Sequence, residues 1–122
     1  MQDGVLSAAL EVVEIGEVAP LLARGAESHW SAQELAYARS KSDPERRLAA
    51  RLAAKRAVLR LLGAGFDASD AEVRRARGGP PQLQLSARAQ QRLRALGAER
   101  ALVSLTHGRT HAAASVLLLA PR

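Results

Sequence analysis

Residues 48–63 read LAARLAAKRAVLRLLG, and this stretch decides the fold class. At about 100° per residue, one stripe of a helix carries four leucines: Leu48, Leu52, Leu59 and Leu62. Asp43-Pro44-Glu45 predicts the start of this helix, because a cap residue is followed by proline in the first turn. Gly63 and Gly65 predict its end. We therefore predict one long helix that ends at about Leu62.

The basic residues of this helix fall on two faces. Lys55 lies inside the leucine stripe, where a lysine commonly packs its stem on the core and keeps its ammonium in water. Arg56 and Arg60 are four residues apart and share a different face. Three small residues lie close to that face and would let a ligand approach: Ala49, Ala53 and Ala57. Two guanidiniums there suit a phosphate, and a solvated basic surface is the alternative.

Composition limits the classes of protein to consider. The 122 residues predict a single domain, 1–122, and their 48% apolar content predicts that it folds. Cysteine is absent, which excludes disulfides, a thiol nucleophile and cysteine metal ligands. The net charge of +6 favours an anionic partner, but 2% aromatic residues argue against single-strand nucleic-acid binding by base stacking. No signal peptide is evident, and the apolar run 116–120 is too short to span a bilayer, so we expect a cytoplasmic protein without a membrane partner.

The remaining segments alternate between strand and helix patterns. Strands are predicted at Val5–Ile15, Glu72–Arg77, Gln82–Leu85, Ala101–Thr106 and His111–Leu119. Shorter helices are predicted at Gly16–Arg24, after the capping box Ser31–Glu34, and between Ser86 and Gly97. Strands and helices are interspersed and the last two strands form a hairpin around Gly108. We therefore predict an α+β domain with a mostly antiparallel sheet.

Two further groups of residues are candidates for chemistry. His107 and His111 flank the predicted turn, and without an obvious third ligand a zinc site is not expected. His107, at a strand end, suits a general base or a phosphate ligand, or is a turn residue without a role. Glu11 and Glu14 are three apart in a strand and point to opposite faces, so they do not form a carboxylate pair by themselves.

Six segments, in order, are similar to motifs of one family, the holo-acyl-carrier-protein synthases, which are small bacterial 4′-phosphopantetheinyl transferases. The segments are Leu10–Ile15 (family pattern G-x-D-x-V-E-I), Glu34–Tyr37 (E-L-x-Y), Leu48–Ala57 (L-A-G-R-F-A-A-K-E-A), Gly63–Gly65 (G-T-G), Gly79–Pro81 (G-K-P) and Val103–His107 (V-S-[IL]-[ST]-H). Each motif is weak alone, but their order and spacing together are specific, and they extend over nearly the whole chain.

The resemblance implies an antiparallel sheet wrapped on the long helix, a homotrimer with active sites between subunits, and a transfer reaction. The phosphopantetheine arm of coenzyme A moves to a serine of acyl carrier protein, and 3′,5′-ADP leaves. In the family, magnesium is held by the aspartate of G-x-D and the glutamate of A-A-K-E-A, and it offsets charge in the transition state.

Three departures from the family pattern fall on this chemistry. Glu11 replaces the aspartate and keeps a carboxylate, but Arg56 replaces the second metal ligand, and a guanidinium has no lone pair for a metal. We expect Glu11 and Arg56 to pair with each other. Glu17 stands where the family has an arginine that grips the acidic carrier protein, so it should weaken that partner's binding. If only the metal site was lost, Arg56→Glu should restore metal-dependent transfer.

According to the resemblance, this chain retains most of the basic residues that bind coenzyme A in the family. Its implied cofactor-binding residues are Arg51, Lys55, Arg60, Gly63 and His107, and its implied catalytic residues are Glu11, Arg56 and Arg60. Two interpretations follow. Either Arg56 takes over the electrostatic role of the metal ion, or the chain is an impaired homologue that binds a coenzyme A-like or carrier-protein ligand or serves as a structural subunit.

Overall fold

The structure, a computed structural model, describes residues 4–122. The predicted domain 1–122 therefore begins with three residues outside the described part. Within that part, the strands are β1 (Val5–Glu14), β2 (Ala71–Arg75), β3 (Pro81–Leu85), β4 (Arg100–His107) and β5 (His111–Leu119). The α-helices are α1 (Val18–Gly25), α2 (Ala32–Arg39), α3 (Pro44–Leu62) and α4 (Ala87–Ala95). The strands and helices predicted from the sequence are confirmed, with ends shifted by one or two residues.

The strands form two antiparallel sheets. β5 lies between β1 and β4 in a three-stranded sheet, and β2 pairs with β3 as a separate hairpin. β5 is central because both of its edges are paired, and alternation along it buries Ala112, Ala114, Val116 and Leu118 on one face. The α+β class with a mostly antiparallel sheet is confirmed.

α3 packs along the buried face of the three-stranded sheet. Ala49, Ala53 and Ala57 are fully buried there, and small residues of β5 face the same core. The expectation that these helix alanines border a ligand is therefore wrong. They instead allow the helix backbone to approach the sheet closely, because a methyl group occupies little space between the two layers.

The ends of the helices follow the sequence signals with one difference. Ser31 and Ser86 accept backbone N–H bonds as caps of α2 and α4, and Gly63 ends α3 with a positive φ of 95°. Asp43 precedes α3 as predicted, but its carboxylate makes no cap bond. It accepts a hydrogen bond from Arg47 Nε at 3.0 Å instead, so an i,i+4 pair stabilises this first turn.

The opposite face of the three-stranded sheet is open. Large apolar side chains are exposed on this face of β1 and β4, namely Leu10, Val12 and Leu102. We call this set the open sheet face. Among residues 4–122, no helix has the length and apolar character needed to cross a membrane.

Candidate active site

Two arginines of α3 meet two carboxylates from the β1 segment. Arg56 Nη2 lies 2.8 Å from Glu17 Oε1, and Arg60 Nη1 lies 2.8 Å from Glu11 Oε2. Arg60 Nη2 also donates to the Leu10 carbonyl oxygen at 2.9 Å. The expected pairing of Glu11 with Arg56 is therefore wrong. β1 runs antiparallel to α3, so Glu11 lies beside the later arginine and Glu17, beyond the end of β1, lies beside the earlier one.

This arrangement does not fit a magnesium ion. Magnesium needs an octahedral set of oxygen ligands, usually with one or two carboxylates among them. Here the Glu11 carboxylate is bound to Arg60, and the second ligand position of the family pattern carries the Arg56 guanidinium. Among residues 4–122, no group of three histidine, aspartate or glutamate side chains could hold a metal ion.

Lys55 lies on another face of α3 and is buried. Its side chain is 2% exposed, and Nζ lies 2.6 Å from Glu34 Oε1. Glu34 is the last residue of the capping box, and its Oε2 also accepts a hydrogen bond from the Val73 backbone N–H at 2.7 Å. The interpretation of Lys55 as a lysine with its ammonium in water is therefore wrong, because the ammonium is neutralised inside the protein.

A cleft at the N-terminal half of α3 collects basic side chains. The cavity has a volume of about 250 Å³ and is lined by Tyr37, Arg47, Ala50, Arg51, Arg75, Leu105, Thr106 and His107. We call it the basic cleft. It brings together two of the sequence-predicted cofactor ligands, Arg51 and His107, which come from α3 and from the end of β4. Three guanidiniums and an imidazole in one cavity suit an anionic group.

Arg51 is the most buried of these cations. Its guanidinium lies 4.2 Å from the centroid of the Tyr37 ring, a cation–π contact. Its Nε is buried without a hydrogen-bond partner within residues 4–122. Burial lowers the pKa of Arg51, but an arginine stays protonated at neutral pH. A buried, charged donor without a partner is costly, and Arg51 also lines the basic cleft.

Known proteins similar to this chain identify its family. No family model matches. Holo-[acyl-carrier-protein] synthase of Nitratidesulfovibrio vulgaris (strain Hildenborough) is 48% identical in an alignment of 81 residues that covers 63% of this chain, and the chain spans 65% of that relative. Holo-[acyl-carrier-protein] synthase of Moorella thermoacetica is 36% identical over 124 residues, covering 93% of this chain and 94% of that relative. The chain belongs to the holo-[acyl-carrier-protein] synthase family.

A solved structure agrees with this family's fold. The ACPS–CoA complex of Chronobacterium ammoniagenes superposes with a TM-score of 0.78 at 24% identity, covering 95% of this chain and 98% of that chain. At this identity the likeness concerns the fold. It confirms the expected architecture, an antiparallel sheet packed on one long helix.

The family motifs identify only part of the candidate site. Gly63 is exposed where α3 ends. His107 is exposed at the end of β4, where the β4–β5 turn begins. Arg47 and Arg75 were missed, although both line the basic cleft. The i,i+4 spacing of Arg47 and Arg51 could have suggested the first. No local pattern points to Arg75, because only the packing of the β2–β3 hairpin brings it to the helix.

Proposed function

We propose that this chain transfers the 4′-phosphopantetheine group of coenzyme A to a serine of acyl carrier protein. The serine oxygen forms a bond to the phosphorus next to the pantetheine arm. The bond from that phosphorus to the bridging oxygen of the diphosphate breaks, 3′,5′-ADP leaves, and the serine proton is released. The single observation that carries this proposal is the match over 93% of the chain to a relative named for this synthase.

The basic cleft supports a place for the 3′-phosphate of coenzyme A. Arg47, Arg51 and Arg75 line a cavity of about 250 Å³. A phosphate dianion with three acceptor oxygens matches several guanidiniums. His107 lines the same cavity and would add a hydrogen bond to the ligand. Lys55, held by Glu34, would act by positioning α3 rather than by touching the ligand.

Arg56 and Arg60 support a second place for phosphate. Arg56 is five residues after Arg51, so their side chains leave α3 about 140° apart, at roughly 100° per residue. One coenzyme A could contact both faces of the helix most simply if each face came from a different copy. This geometry supports active sites shared between copies of the chain.

The open sheet face supports a homotrimer as the assembly that brings the copies together. Its exposed leucines and valine lie on β1 and β4, the two edge strands on either side of β5, and exposed apolar surface on one face of a sheet marks protein interfaces. A closed ring of three copies would cover the same face in each.

The carrier protein is the second substrate of the proposed reaction. Glu17 alone would repel an acidic carrier, but its carboxylate is paired with Arg56 at 2.8 Å. A positive charge beside Glu17 is therefore retained, and Arg56 of α3 carries it. We expect Glu17 to weaken carrier binding less than the sequence pattern alone predicts.

A transfer assay tests the proposal. The full chain is incubated with coenzyme A and apo acyl carrier protein, and the carrier is examined by intact mass spectrometry. A mass increase of one phosphopantetheine group, with release of 3′,5′-ADP, is the expected result. A carrier that stays unmodified while coenzyme A binds would overturn the transfer and favour the second candidate, a homologue that binds coenzyme A without transferring it. The observation that favours this second candidate is Arg56 in the place of a metal carboxylate.

Arg51→Gln tests the assignment of the basic cleft. Its affinity for coenzyme A should fall at least roughly tenfold, because a charged hydrogen bond to phosphate is lost. Its affinity for dephospho-coenzyme A, which lacks the 3′-phosphate, should match that of the wild type. An equal loss for both ligands, measured by isothermal titration calorimetry, would contradict the assignment.

A further inference from the structure

Arg56 and Arg60 form an exposed pair of guanidiniums on one face of α3, which we call the arginine pair. Their side chains are 39% and 58% exposed. Each is held from the β1 side by one carboxylate, Arg56 by Glu17 and Arg60 by Glu11, at 2.8 Å. The arginine pair is therefore fixed in place before any ligand arrives.

Most hydrogen-bond donors of the arginine pair are still available. A guanidinium has five N–H donors in a planar fork. Within residues 4–122, Arg56 donates a hydrogen bond to Glu17 and Arg60 donates one to the Leu10 carbonyl oxygen, while Arg60 forms a salt bridge with Glu11. The remaining N–H groups belong to side chains that are 39% and 58% exposed. A planar fork of this kind matches two phosphate oxygens at once, and a diphosphate offers such oxygens on both of its phosphorus atoms.

The departures from the family pattern at positions 17 and 56 are related. The resemblance in sequence implies arginine at position 17 and glutamate at position 56, and this chain carries Glu17 and Arg56. The two side chains are in direct contact. The two departures are thus a single reciprocal exchange that keeps opposite charges together and moves the positive charge onto α3, four residues before Arg60.

We propose that the arginine pair is a metal-independent diphosphate site, in which Glu17 and Glu11 hold two guanidiniums that bind the diphosphate of coenzyme A without a divalent cation. This inference rests on the proposed function for its ligand. It is consistent with a donor set that does not fit magnesium and with the retention of a carboxylate partner for each arginine. Glu17 and Glu11 are positioning residues, and Arg56 and Arg60 touch the ligand.

Isothermal titration calorimetry of the full chain with coenzyme A and with dephospho-coenzyme A tests this site. Each titration is made once with EDTA and once with magnesium chloride. The expected result is a dissociation constant that differs by less than about threefold between the two conditions, a small change compared with the loss of one charged hydrogen bond. Binding that needs magnesium would overturn the metal-independent site and leave the proposed function standing. No binding of coenzyme A in either condition would overturn both.

Two variants test whether the diphosphate binds at the arginine pair. Arg56→Gln should weaken both ligands by at least roughly tenfold in EDTA, because both contain the diphosphate. Arg46→Gln is the matched control, since Arg46 lies on the same helix, is 37% exposed and pairs with a carboxylate, Asp43. It should bind both ligands like the wild type. An equal effect of the two variants would show that general positive charge binds the diphosphate, and no effect from Arg56→Gln would show that Arg56 does not touch it. Either result would overturn the site.

Discussion

At the scale of single residues, the contact between Glu17 and Arg56 changes how the departures from the family pattern are understood. From the sequence, each is a separate defect, one in the metal site and one in the carrier-protein surface. In the structure, Arg56 Nη2 donates to Glu17 Oε1 at 2.8 Å. Reversing the charge at either position alone would leave two like charges in contact, so the effects of the two positions depend on each other.

Arg56→Glu alone is therefore expected to fail as a restoration of the family site, contrary to the expectation from the sequence. It places a carboxylate against Glu17, and coenzyme A affinity should fall at least roughly tenfold with or without magnesium. The double variant Glu17→Arg, Arg56→Glu keeps an ion pair with its polarity reversed. Only this double variant should bind coenzyme A more tightly with magnesium than with EDTA, measured by calorimetry.

The comparison of single and double variants contains its own control. If the single variant Arg56→Glu gained the same magnesium dependence as the double variant, positions 17 and 56 would be independent. The reciprocal exchange would then be rejected.

Asp70 gives a residue-scale prediction for pH. Its carboxylate is buried and accepts hydrogen bonds from Arg88 Nε at 2.9 Å and from Ser86 Oγ at 2.7 Å. Burial by itself would raise the pKa of Asp70, but these bonds and the nearby charge of Arg88 outweigh it and hold the pKa below the ordinary value of 3.8. The stability that Asp70 contributes is thus fully present above pH 3.8 and is lost as the pH falls through the lower, folded-state pKa.

Asp70→Asn should reduce the free energy of unfolding by roughly 2 kcal/mol at neutral pH, because charged hydrogen bonds are lost. The difference from the wild type should shrink as the pH falls below 3.8, where the wild-type carboxyl also becomes neutral. Urea unfolding followed by circular dichroism at several pH values measures it. A difference that is constant with pH would mean that the charge of Asp70 does not contribute.

At the scale of elements, the Lys55–Glu34 pair joins three of them. Lys55 comes from α3, Glu34 from α2, and the Val73 N–H that also donates to Glu34 comes from β2. Both side chains are almost completely buried. The pair therefore fixes the β2–β3 hairpin and α2 to the long helix, and with them Tyr37 and Arg75 of the basic cleft.

Lys55→Met should be strongly destabilising, since it leaves the Glu34 carboxylate buried without a counter-charge. We expect a loss of about 3 to 5 kcal/mol in the free energy of unfolding, measured by urea denaturation. The double variant Lys55→Met, Glu34→Gln should lose less than the single one, because no buried charge remains. If the single variant lost less than about 1 kcal/mol, well under the usual cost of an unpaired buried charge, the buried ion pair would not have the assigned role.

At the scale of the whole molecule, the two faces of the three-stranded sheet have different roles. One face packs on α3 and forms the core, and the other presents Leu10, Val12 and Leu102 to the outside. The proposed trimer would cover this second face. Because the basic cleft and the arginine pair lie on different faces of α3, assembly and ligand binding should be coupled.

Leu102→Glu should separate the trimer, because it puts a charge into the proposed apolar interface. Size-exclusion chromatography with light scattering should give one chain's mass for the variant and three times that mass for the wild type. Gln91→Glu adds the same charge on an exposed position of α4 and should remain trimeric. A wild type that is monomeric, or a trimer that survives Leu102→Glu, would contradict this assembly.

The sequence by itself determined the elements and the family. The leucine stripe and its flanking signals defined α3, the Ser31 and Ser86 caps defined the starts of α2 and α4, and motif order identified the family, because these are relations between near neighbours in the chain. Only the tertiary structure decided which charges meet. Lys55 and Glu34 are 21 residues apart, and Arg56 and Glu17 are 39 apart. Such pairs depend on how far α3 is shifted along β1 and α2 when the layers pack, and helical or strand periodicity carries no information about that shift.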